Sequence, residues 1–133
     1  MSKEDNTFSI RYESKGKLPS LPFEQVKNDI LKKKYELSLV SATKNLAQSL
    51  NIKYRKKDYI PNILSFPLTK ETGEIFLHTR VIKKQYKDFN MSYEDYILFL
   101  FIHGCLHLKG YEHGQSMEKM ENFYKKKYNI VEK

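Results

Sequence analysis

Three of the chain's four histidines lie within the eleven residues "HGCLHLKGYEH", from His103 to His113. Their spacing restricts what the backbone can do there. On an α-helix, residues four apart are separated by about 40° in azimuth and about 6 Å along the axis, so His103 and His107 share a face. Carried on a straight helix, His113 would lie roughly 240° round from His107, on the wrong side. The three rings meet only if the helix stops and the chain turns back. Gly110 stands where a left-handed C-terminal cap makes that turn, because glycine enters positive φ without steric cost.

The resulting H-x-x-x-H-x-x-G-x-x-H is the spacing of the long zincin motif, which brings three imidazole nitrogens to one ion. A lone histidine beside "LFLFI" is more often a core residue than a ligand. Three at this spacing, with the glycine in place, point to a metal. Three protein ligands leave a tetrahedral zinc one open position, the pattern of a catalytic site, whereas a structural zinc normally takes a fourth protein ligand. The expectation is one Zn2+ per chain on His103, His107 and His113. Cys105, on another helical face, reads as a small buried residue. In a zincin peptidase the residue after the first histidine is the general base Glu; here it is Gly104, which argues against proteolysis.

The rest of the chain interleaves strands and helices. "TFSIRYE" alternates like a first strand and "LSLVSA" reads as a second. "NILSFPL" and "GEIFLH" read as two more, joined through "TKET" in a hairpin or nearby turn. Helical patterns fall on "FEQVKNDILKKKYE", "ATKNLAQSLN", "TRVIKKQYKDF" and "SMEKMENFYKKKY". Ser92 and Asp95 form an S-x-x-D capping box that opens the histidine helix, expected to run to about Leu108. The fold class is α+β or mixed α/β. No linker breaks the pattern, so one domain is expected over residues 1–133.

With 24 basic and 16 acidic side chains the formal charge is +8, so a large charged partner would be anionic, nucleic acid first and an anionic membrane surface second. The apolar run "ILFLFI" is far shorter than the ~20 residues of a membrane span. "MSKEDNTFSI" has mixed charges and no apolar h-region, unlike a signal peptide. A single cysteine, incapable of an internal disulfide, suits a cytoplasmic protein.

"HGCLHLKGYEH" resembles the hallmark H-G-x-L-H-L-x-G-Y-D-H of the YbeY family, with Glu112 in place of Asp. "LNIKYRKKDYIPNILSFP" is similar to the family's N-x-x-Y-R-x-x-D and following L-S-F-P blocks, and "GEI" to its G-D-I. These blocks span about half the chain in the family's order. Two departures stand out: Phe99 occupies a position where the family often has histidine, and the segment after His113 is short. The resemblance implies a metal-dependent endoribonuclease acting on single-stranded RNA in ribosomal RNA processing, at the small-subunit 3′ end, with the ribosome as a further partner. It implies a zinc site of His103, His107 and His113, and a catalytic arginine at Arg55.

Chemistry supports that arginine, since a guanidinium clamps the phosphate oxygens on which charge builds. Taken alone, "KYRKKD" reads more plainly as a solvated lysine-rich turn. Glu112 is a candidate general base, Ser65 a candidate lining residue, and Tyr54 and Tyr111 candidate stacking platforms. His78 reads as structural or superficial. The attacking group is open between water and the RNA 2′-hydroxyl. The competing function is a ribosome-associated assembly factor with a mainly structural zinc.

Overall fold

The computed structural model describes residues 7–132. The charged stretch before Thr7, on which the signal-peptide reading rests, lies outside them. In chain order the elements are β1 (Phe8–Tyr12), α1 (Phe23–Leu31), β2 (Glu36–Ser41), α2 (Lys44–Arg55), β3 (Ile63–Thr69), β4 (Thr72–Leu77) and α3 (Thr79–Gln85). A 3₁₀ turn over Tyr86–Phe89, α4 (Tyr93–Lys109) and α5 (Gln115–Lys127) complete them. The class is α+β, as the alternation of patterns implied.

One mixed sheet runs in the order β1-β2-β4-β3. β1 and β4 flank β2 in parallel, and β3 returns antiparallel to β4, pairing Ile63 with Leu77 and Ser65 with Ile75. Side chains alternate across a strand, so the sheet has two apolar faces. Leu37, Leu39, Ile75 and Leu77 join the larger core with α1 and α4. Val40, Leu64 and Phe76 face the opposite way and are covered by Leu46, Ala47 and Leu50 of α2.

α4 is the central strut, packed against α1, β3 and α5. Ile97, Phe101, Ile102, Cys105 and Leu106 are all buried, as expected of Cys105. The helix crosses the sheet closely enough that a Cβ on Gly104 would lie 2.8 Å from Ser65 Oγ and 3.0 Å from Ile63 Cδ1. Position 104 faces the sheet, and a glutamate has no room there.

Three boundaries differ from the sequence patterns. α1 ends at Leu31 instead of continuing through "KKKYE": Lys32 turns at φ 77°, and the chain reverses to bury Tyr35. α2 starts on a Thr43 cap whose hydroxyl accepts from Leu46 N–H, and it continues through "IKYR", so Arg55 ends a helix and does not sit in a turn. The pattern at 79–89 is a short α-helix followed by the 3₁₀ turn. The S-x-x-D box is half used. Ser92 Oγ accepts from Asp95 N–H at 3.1 Å, while Asp95 Oδ2 accepts from the Val131 N–H at 3.2 Å, tying the chain end to α4.

Candidate metal centre

The last turns of α4 present His103 and His107 on one side, and Gly110 ends the helix at φ 116°, ψ 0°. The Gly110 N–H bonds the His107 carbonyl and the Tyr111 N–H bonds the Leu106 carbonyl, both at 3.0 Å, closing the helix end as a Schellman-type cap does. The chain then swings back. The His113 ring centroid comes to 5.3 Å from that of His103 and 4.7 Å from that of His107. One ligand nitrogen from each of the three lies within 4.8 Å of the others. The turn inferred from the spacing is the turn the chain makes.

Hydrogen-bond chemistry assigns the ring nitrogens. His107 Nδ1 lies 2.9 Å from the Tyr111 carbonyl, which only accepts, so Nδ1 carries the proton. His103 Nδ1 lies 2.5 Å from Glu121 Oε2, again an acceptor. In their neutral forms both rings then leave Nε2 bare, and these two atoms are 3.0 Å apart. Two lone pairs at that distance repel unless a cation lies between them. Zinc–nitrogen bonds of about 2.0–2.1 Å place tetrahedral nitrogens roughly 3.3 Å apart, so the donor set fits a divalent ion. Burial, then the neighbouring His103 ring, holds the His107 pKa below the ordinary histidine value, which keeps that ring a neutral donor. Among the described residues no thiol or carboxylate joins the cluster. The buried Cys105 thiol is pushed far up by desolvation and remains protonated.

The histidines line a cleft of about 380 Å³ with Arg55, Tyr59, Pro61, Asn62, Ile63, Leu64 and Ser65. Arg55 comes from α2, Ser65 from β3 and the histidines from α4 and the following turn, so the fold gathers segments nearly fifty residues apart. Arg55 is exposed, with its guanidinium 6.0 Å from the Tyr59 ring centroid. The loop between them is fastened by Asn51, buried in α2, whose Nδ2 donates to the Tyr59 carbonyl at 2.9 Å.

Other candidates fall elsewhere. Glu112 is exposed and is not among the lining residues. Tyr54 lies against Phe66, outside the cleft. Tyr111 serves through its backbone carbonyl. His78 is buried at the start of α3, away from the cluster.

Glu121 escaped the sequence reading. The signal for it is an acid on the apolar stripe of α5, one turn from each of the buried Met117 and Tyr124. Asn51 and Tyr59 were missed as well, since both act through a loop whose path only the fold sets.

The sequence profile of the family described as Endoribonuclease YbeY matches residues 2–133. Endoribonuclease YbeY of Thermotoga neapolitana is 28% identical over 124 residues, covering 90% of this chain and 83% of that one. That of Bdellovibrio bacteriovorus is 37% identical over 91 residues, covering 66% of this chain and 61% of its own length. The solution structure of a Thermotoga maritima protein superposes with a TM-score of 0.61 at 24% identity, covering 88% of this chain and 85% of that one.

Proposed function

The chain belongs to the YbeY endoribonuclease family, and on that premise we propose that it is a zinc-dependent endoribonuclease cutting single-stranded RNA. Its place is ribosomal RNA processing at the small-subunit 3′ end during ribosome maturation. The observation that carries the reading is the convergence of the His103 and His107 Nε2 atoms, 3.0 Å apart, with His113 beside them, in a cleft shared with an arginine.

In this reading His103, His107 and His113 would hold the ion at the cleft. A zinc ion held there would supply Lewis acidity. Arg55 binds the non-bridging phosphate oxygens through its planar fork and offsets the charge that grows on them as the phosphorus gains a fifth ligand. Tyr59, half-exposed at the same mouth, offers a flat face to an unpaired base. Lys53, Lys56 and Lys57 flank the arginine and draw in the backbone. A peptidase reading lacks its base, because position 104 is a glycine packed on Ser65.

The test pairs metal analysis of the purified protein with cleavage of matched single-stranded and duplex RNA. About one zinc per chain and cleavage of the single strand alone are expected. Zinc-loaded protein that cuts neither RNA would favour an assembly factor with a structural ion.

A further inference from the structure

Glu121 lies eight residues beyond His113, on α5, a separate helix from His103. Its side chain is only 15% exposed, and its side-chain partner is the imidazole of His103. A carboxylate this sheltered has lost much of its hydration, and a neutral N–H restores only part of that. The restoration improves when the imidazole gains positive character, as it does on coordinating a cation. From this geometry we propose that Glu121 is a positioning residue of the metal centre: it holds His103 in the Nδ1–H tautomer, aims Nε2 at the shared point and increases that nitrogen's donor strength.

The inference deepens the proposed metal site and rests on it. Glu121 is not placed to be the general base, since its Oε2 engages the Nδ1 edge of the ring, remote from the Nε2 that faces the other histidines. The two α4 ligands are thus oriented by unlike partners. His107 is set by the Tyr111 carbonyl, four residues away within the local turn. His103 is set by a charged group eighteen residues away. Docking of α5, through buried Met117 and Tyr124 on either side of Glu121, is therefore coupled to metal affinity.

The experiment uses the full chain, stripped with a chelator and titrated with zinc against a competing dye. Side-chain nitrogen shifts of His103 are read in the metal-free protein. Glu121→Leu keeps apolar volume on the α5 face. It is expected to bind zinc about 10- to 100-fold more weakly than wild type and to lose the single Nδ1–H tautomer. Glu121→Gln retains an acceptor for Nδ1–H, so it keeps the tautomer and loses affinity by a smaller factor.

Zinc affinity of both variants within threefold of wild type overturns the proposal. So does an unchanged His103 tautomer in Glu121→Leu, and where that variant does not fold, Glu121→Gln alone decides by its affinity. Wild-type protein that takes up no zinc would instead remove the metal reading itself, and this inference with it. Equal loss of RNA cleavage in both variants at undiminished zinc affinity would make Glu121 a base and reject the positioning role.

Discussion

Arg55 ends α2 with its guanidinium exposed beside Tyr59 and directed into the cleft that the histidines line. In the proposed function it acts on the phosphate and not on the ion, so Arg55→Ala is expected to keep wild-type zinc content while losing roughly 100-fold or more in cleavage of single-stranded RNA. Arg55→Lys should recover part of this, because an ammonium keeps the charge and loses the fork. Full recovery by Lys, or an Ala defect that vanishes at low salt, would assign Arg55 to general backbone attraction. Gly104 presents the opposite case, a residue whose value is the absence of an atom. Ala there puts a Cβ 2.8 Å from Ser65 Oγ with Ile63 and Ile75 close behind. Overpacking of this kind costs about 1–3 kcal/mol, to be read from urea unfolding of Gly104→Ala. An unchanged midpoint would mean that α4 lifts from the sheet freely.

At the scale of elements, the turn after α4 decides whether two histidines become three. Gly110 has φ 116°, and nothing lies within 4 Å of a Cβ built there, so any penalty for a substitution is one of backbone conformation alone. Gly110→Val is expected to release zinc while leaving far-UV circular dichroism nearly unchanged. The strain of a β-branched residue at positive φ is on the order of 1–3 kcal/mol, enough to displace His113 but not to unfold the helix. Gly110→Asn, which tolerates the left-handed region, should retain most of the metal. Equal zinc content in the Val variant would show that the chain turns by another route. α2 poses a similar question of extent: its apolar pattern is clear to Leu50, yet the helix continues to Arg55 because Lys56 closes it in the left-handed region at φ 58°.

For the whole molecule, pH links folding to two imidazoles, His78 buried and His107 half-buried. Burial first, then Arg80, Lys44 and Lys84, hold His78 below the ordinary histidine value, and its buried Nδ1 has no partner among the described residues. In the unfolded chain it titrates near 6.5. Between that value and the lowered folded value, the unfolded state binds the extra proton. Stability is therefore complete above about pH 6.5 and declines as pH falls through the window, by at most about 1.4 kcal/mol per pH unit for one proton. His107 is lowered as well and adds slope of the same sign in metal-free protein. His78→Gln should flatten, without abolishing, the fall in stability between pH 7 and pH 5. Urea midpoints of the metal-free variant at several pH values check it, and an unaltered slope would mean His78 takes up its proton at no cost. In the proposed function zinc binds only the folded arrangement, so chelation should lower the melting temperature of wild type and leave that of His107→Ala unmoved.

The features legible in the amino-acid sequence are those set within one or two helical turns. Histidines four apart share a face whatever surrounds them, a serine three residues before an acid caps a helix, and glycine at Gly110 permits the reversal that His113 needs. Strand alternation in "LSLVSA" and "GEIFLH" likewise follows from a two-residue period. Helix ends were less legible, since "KKKYE" has good helical propensity and yields only because Tyr35 is buried. The order β1-β2-β4-β3, the meeting of Arg55 and Ser65 with the histidines and the contact of Glu121 with His103 belong to the tertiary structure alone. Each joins residues from separate elements, and such pairings are fixed by which apolar faces bury one another, a property of the packed chain that no local period encodes.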